Sequence, residues 1–205
     1  MNTRSRLGSF FLLVLAAAGC ATQPPASLAS VPTATQAAAP AAEAAKVLFV
    51  VLPDTGRVHA FGDTKNYFDF LAHGEVQLTR TRIGEGPGGK TMVYGITNDD
   101  VKRNQPSLGE QVMSGTLAPA PDFYGEVFKG GRYYVFGDLK DLKDFTAFGE
   151  VPYSYSDIGV GPKGETLVYV MNKDSYSKGK PQSRVDRFKA LRAGLTANRI
   201  EWIAG

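Results

Sequence analysis

Gly56-Arg57-Val58-His59-Ala60-Phe61-Gly62-Asp63 opens a stretch that returns 75 residues later as Gly131-Arg132-Tyr133-Tyr134-Val135-Phe136-Gly137-Asp138. Laid over one another without a gap, residues 56–99 and 131–174 are identical at 21 of 44 positions. Chance does not produce this, so the chain carries an internal repeat. The shared set includes Phe70/Phe145, Gly74/Gly149, Glu75/Glu150, Ile83/Ile158, Gly86/Gly161, Pro87/Pro162 and Tyr94/Tyr169. Two copies are too few for a solenoid, and a compact pair about a pseudo-twofold axis is expected.

Working outward, each copy reads as β-β-α-β-β. Val47–Leu52 and Phe123–Phe128 are apolar, β-rich first strands. Asp54-Thr55-Gly56 and Lys129-Gly130-Gly131 turn the chain into second strands, Arg57–Phe61 and Arg132–Phe136. Asp63 and Asp138 suit helix N-caps, where a carboxylate accepts from free first-turn amides. Phe70 and Leu71, or Leu142 and Phe145, fall at helical spacing. Gly74 and Gly149 sit where a left-handed C-cap needs glycine. Strands are expected from Glu75 to Ile83, Glu150 to Ile158, Thr91 to Ile96 and Thr166 to Met171. Arg184–Ala193 reads as an amphipathic helix with Val185, Phe188 and Leu191 on one face. Ile200-Glu201-Trp202-Ile203 falls on the first strand of copy two at the same offset, which predicts a closing strand at 199–203. The expected class is α+β with a mainly antiparallel sheet. Copy one runs 46–120 and copy two 121–195, inside one domain of 46–205 that is long enough for a sizeable core.

The first 45 residues have another character. Arg4 and Arg6 precede the apolar run Phe10–Ala16, and small residues lead to Cys20. A basic leader, a short apolar core and small residues describe a secretory signal over 1–19. The apolar run is too short to span a bilayer, which needs about 20 residues. Ala17-Ala18-Gly19-Cys20 resembles the lipobox of bacterial lipoproteins. That resemblance implies cleavage after Gly19, a thioether-linked diacylglycerol on Cys20 and acylation of the new amino group. Alanine stands where leucine is usual three residues before the cysteine. Ala21 follows the cysteine, with no aspartate to signal inner-membrane retention, so the resemblance implies the outer membrane. Cys20 is the only cysteine, so the chain forms no internal disulfide. After Cys20, residues 21–45 are mostly Ala, Pro, Thr, Ser and Gln, with one charge at Glu43, almost no large apolar residues, and Pro24, Pro25, Pro32 and Pro40. Such a linker builds no core, and a coil of its length spans roughly 25–30 Å.

The 23 Lys and Arg fall to 21 without Arg4 and Arg6, against 20 Asp and Glu. Near-neutrality gives no electrostatic footprint for nucleic acid. The sequence implies no cofactor and no metal. Its two histidines, His59 and His73, have Tyr134 and Phe148 as counterparts, so no symmetric site uses them, and zinc wants more ligands. Gly84–Gly89 and Gly159–Gly164 both fit GxGxxG, but strand residues follow them instead of a helix, and Pro87 and Pro162 each remove an amide. They read as turns, with Gly86, Pro87, Gly161 and Pro162 kept as binding candidates because glycine lets a ligand approach closely. Tyr153 and Tyr155 share a strand face and are candidates for contact with glycan or protein; Leu78 and Arg80 replace them in copy one. The shared charged set is Arg57/Arg132, Asp63/Asp138, Lys65/Lys140, Asp69/Asp144, Glu75/Glu150 and Asp99/Asp174. Caps, strand ends and solvated helix faces account for it more simply than a carboxylate pair of the glycosidase kind.

The expected function is therefore a non-enzymatic lipoprotein of the outer membrane, facing the periplasm. Its membrane attachment is the lipid on Cys20, and its partner is an envelope protein or peptidoglycan. The alternatives are a hydrolase of cell-wall or surface polymers and a purely structural envelope lipoprotein.

Overall fold

The computed structural model describes the backbone of residues 44–204 and the side chains of residues 44–194. Gly19, Cys20 and the linker up to residue 43 lie outside the described residues. In chain order, β1 (Ala45–Leu52), β2 (Arg57–Phe61), α1 (Thr64–His73), β3 (Thr79–Arg82) and β4 (Thr91–Gly95) come first. The short helices α2 (Asn98–Arg103) and α3 (Leu108–Ser114) lead to β5 (Pro119–Lys129) and β6 (Arg132–Phe136). Then come α4 (Leu139–Phe148), β7 (Tyr153–Asp157), β8 (Thr166–Met171), α5 (Lys173–Tyr176) and α6 (Gln182–Ala204). Among the described residues no helix is long and apolar enough to cross a membrane.

The strands form one eight-stranded sheet in the order β3-β4-β2-β1-β5-β6-β8-β7. It is mixed, where a mainly antiparallel sheet was expected. β1 and β5, β2 and β4, and β6 and β8 pair parallel; the other four junctions are antiparallel. Crossovers explain this. The helix-bearing connections after β2 and β6 lead to the edge strands β3 and β7, antiparallel to the strands they left, and the tight turn that follows brings β4 and β8 back to pair parallel with β2 and β6.

The segment 199–203 is not a closing strand but the continuation of α6. Sheet order gives the reason. The first strands β1 and β5 pair with each other at the centre, and each has its own hairpin partner on its other side. No place beside a first strand is vacant for a third. The expected strands over 75–83 and 150–158 are also shorter, beginning at Thr79 and Tyr153.

Both sheet faces are covered, so the central strands are apolar on both sides. Leu48, Val50, Val127 and Phe136 pack with Val112 of α3 and with Leu139, Leu142 and Phe145 of α4. Phe49, Val51, Tyr124 and Val135 pack on the other face with Tyr67 of α1 and with Val185 and Phe188 of α6. The caps follow local chemistry. The Asp63 carboxylate accepts from the Asn66 amide at 2.8 Å and Asp138 from that of Lys140 at 2.8 Å. Gly74 and Gly149 end their helices at φ 76° and 75°, in the left-handed region.

Candidate functional site

The two Gly-Pro loops bind themselves. The Gly86 amide donates to the Lys90 carbonyl at 2.8 Å and the Gly161 amide to the Glu165 carbonyl at 2.9 Å. Gly89 and Gly164 donate back to Gly86 and Gly161, each at 3.0 Å. These four amides are spent on the turn and are not offered to a phosphate. A Cβ on Gly86 would stand 2.7 Å from the Lys90 carbonyl oxygen and 2.9 Å from Met92 Sδ, which is why glycine sits there.

Tyr153 and Tyr155 lie apart from those loops, on the edge strand β7. Tyr176 of α5 spans both, with ring centroids 5.2 Å from Tyr153 and 4.9 Å from Tyr155. Tyr124, Tyr133 and Tyr169 are buried. His59 stacks on Phe70 at 4.5 Å; burial, then the Arg57 charge, lowers its pKa.

Of the shared carboxylates, Asp63 and Asp138 are caps, and Asp99 and Asp174 lie in the first turns of α2 and α5. Asp69/Asp144 and Glu75/Glu150 remain, and these do converge. Asp69 and Glu75 line a cavity of about 460 Å³ with His73, Val76 and Gln77. Asp144 and Glu150 line one of about 550 Å³ with Phe148, Val151 and Pro152, among others. The five positions named for the second cavity are those of the first moved by 75. Each aspartate is bridged by the lysine one turn earlier, Lys65 at 2.7 Å and Lys140 at 2.5 Å. The aspartate side chains stay 43% and 49% exposed. Asp141, on the rim of the second cavity, has its carboxyl held above the usual range by burial and by Asp138. Among the described residues no group of three or more His, Cys, Asp or Glu stands ready to hold a metal.

The cavities arise because α1 and α4 each end at a glycine cap and the chain then runs irregularly before its next strand. A strand through 75–78 would have closed the gap. Around the end of α1 the first cavity continues into a groove of about 660 Å³, reached by Asp69 and His73 from both sides. Phe68, Leu71, Phe128, Tyr133 and Pro162 wall that groove. Pro162, one of the loop candidates, thus stands beside this groove. Across the sheet, α4 packs directly against the Pro87–Gly89 turn.

Beneath the groove lies a cluster that strand alternation did not flag. Glu126 of β5 is fully buried. Its carboxylate accepts from the Tyr67 hydroxyl at 2.5 Å, the Tyr124 hydroxyl at 2.6 Å and the Arg192 guanidinium at 2.5 Å. Arg192 lies over the Phe188 ring at 3.4 Å and the Tyr133 ring at 4.7 Å. Burial, then the Glu126 charge, pushes both Tyr67 and Tyr124 well above the ordinary tyrosine pKa. These bonds fasten α6 to the sheet, and Arg192 also lines the groove.

No family model, curated protein or solved structure matches the chain.

Proposed function

We propose that this protein is a non-enzymatic binding module, held on the periplasmic side of the outer membrane by lipid on Cys20. Its two acidic cavities receive cationic groups of an envelope protein or of peptidoglycan. The observation that carries this reading is the fate of the shared exposed residues. Asp69 with Glu75 and Asp144 with Glu150 line matching cavities. Paired carboxylates suit an amine or guanidinium, and in the second cavity Phe148, Val151, Pro152 and Val170 add apolar surface for its aliphatic stem.

The same reading includes an internal duplication about a pseudo-twofold axis. Identity at 21 of 44 positions supports it, as does a sheet order in which the elements of one half mirror those of the other. α1 and α4 cover opposite faces, as an axis running along the central parallel strands requires.

Co-sedimentation of the full chain with purified sacculi, and capture from solubilised envelope, test the cavities. The variant carrying Asp69→Asn, Glu75→Gln, Asp144→Asn and Glu150→Gln should lose what the wild type binds. Equal recovery by both chains, or by neither, sinks the reading. Separately, Cys20→Ser should leave the membrane fraction; a mutant that is processed and still membrane-bound defeats the anchor.

The paired carboxylates also favour a second reading, a hydrolase of cell-wall polymer. Against it, each aspartate is open to water and tied to a lysine, without the unlike environments that split an acid from a base. Soluble fragments released from sacculi by the wild type, and not by Asp144→Asn, would establish the enzyme.

A further inference from the structure

The two sheet edges are not alike. β3 reads Thr79-Arg80-Thr81-Arg82, and its arginines supply the charge that protects an exposed edge. β7 reads Tyr153-Ser154-Tyr155-Ser156-Asp157, with no lysine, arginine or proline inside it. Among the described residues its only strand neighbour is β8, and its outer backbone groups have no partner strand. Of the eight large apolar side chains exposed among the described residues, five belong to β7 or the segments beside it: Phe148 (76%), Tyr153 (40%), Ile158 (84%), Val160 (54%) and Tyr176 (39%). Of their counterparts around β3, Ile83 (85%) and Val101 (50%) are exposed and apolar, whereas His73, Leu78 and Glu85 are not on that exposed apolar surface. An unprotected edge flanked by apolar surface is a template for an added strand.

We propose that β7 pairs antiparallel with β7 of a second copy of this chain, about a twofold axis through Tyr155, joining two eight-stranded sheets into one. The strand is self-complementary in that register. Tyr155 lies opposite its own mate, Ser154 opposite Ser156, and Tyr153 opposite Asp157. No like charges meet, and the one carboxylate is already neutralised by Lys180 at 2.7 Å. Continued past the strand, the register sets Ile158 opposite Pro152 and Val160 opposite Glu150. Ile158 of each copy then stands at the rim of the other's larger acidic cavity, adding a wall to it. Doubled by the axis, the five side chains offer on the order of 1,000 Å² of apolar surface, where specific interfaces begin. An isologous contact closes at two copies and leaves the charged β3 edges outward.

The test reads association without any ligand, so its outcome is separate from that of the cavities. Sedimentation equilibrium of the full chain in density-matched detergent should give a dimer at micromolar concentration. Ile158→Lys should raise the dimer dissociation constant at least tenfold. Ile83→Lys, at the equivalent and equally exposed position (85%) on the other edge, should leave it unchanged. Both positions are solvent-facing, so both variants keep the wild-type circular dichroism. A monomeric wild type, an undisturbed dimer in Ile158→Lys, or equal loss in the two variants would overturn the proposal.

Discussion

Each half of the sheet buries one glutamate against arginine, but with the roles exchanged. In the first half the helix α3 brings the acid, Glu110, and the edge strand β3 brings Arg80 at 2.6 Å and Arg82 at 3.3 Å. In the second half the central strand β5 brings the acid, Glu126, and the helix α6 brings Arg192 at 2.5 Å. The first arrangement is peripheral, with Arg80 25% and Arg82 44% exposed. The second is central, with Glu126 wholly enclosed. The consequence reaches the edges. Arginines spent on Glu110 keep β3 charged, whereas β7 has no such duty and carries tyrosines. The same frame thus leaves one edge guarded and one adhesive.

The comparison breaks most sharply at the glutamates. Glu126→Gln removes the buried carboxylate that faces the Arg192 cation and should cost about 3–5 kcal/mol in urea unfolding. Glu110→Gln, whose arginines reach water, should cost about 1–3 kcal/mol. Replacing the second cluster whole, with Glu126→Val, Arg192→Met, Tyr67→Phe and Tyr124→Phe, should recover most of the loss, because apolar residues pack without desolvating a charge. Equal costs for the two single changes would refute the contrast.

A smaller difference is expected at the Gly-Pro loops. Gly86→Ala drives a methyl onto a backbone carbonyl at 2.7 Å and the buried Met92. Gly161→Ala meets first the Glu165 carboxylate at 2.6 Å, the far end of a side chain, and then the Glu165 Cβ at 2.9 Å and backbone oxygen at 3.0 Å. Thermal unfolding should show about 1–3 kcal/mol lost at Gly86 and less at Gly161. The reverse order would mean that the loops are not held as the distances imply.

The smallest effect concerns His59 on Phe70, whose counterpart is Tyr134 on Phe145 at 4.4 Å. The His59 pKa is lowered in the fold. As pH falls the unfolded chain therefore takes up the proton first, and stability is lost from about pH 6.5 downward. His59→Tyr installs the other half's residue and should flatten the stability slope between about pH 7 and pH 5. An unchanged slope would assign the dependence elsewhere.

Much of the fold was legible because it is local. Asp63, Asp138, Gly74 and Gly149 mark helix ends by chemistry that needs no distant partner. The helices of the tail, α2 and α3, were also within reach. Thr97 with Asp100 and Ser107 with Glu110 form capping boxes, a spacing visible in the sequence. Glu126 was not, since strand alternation warns of a buried charge only when one face is wet, and β5 is covered on both. The carboxylates of the cavities were visible as shared residues but not as neighbours. Their meeting depends on how residues 75–78 and 150–152 return past the ends of α1 and α4.

The order β-β-α-β-β, the caps and the turns could be read from the chain alone, because each rests on residues a few positions apart. Tertiary structure alone decided which strands run parallel, that β1 and β5 meet at the centre, and that residues 199–203 stay helical. Those outcomes depend on which sheet positions are already taken, and occupancy is a property of the assembled sheet that no local pattern encodes.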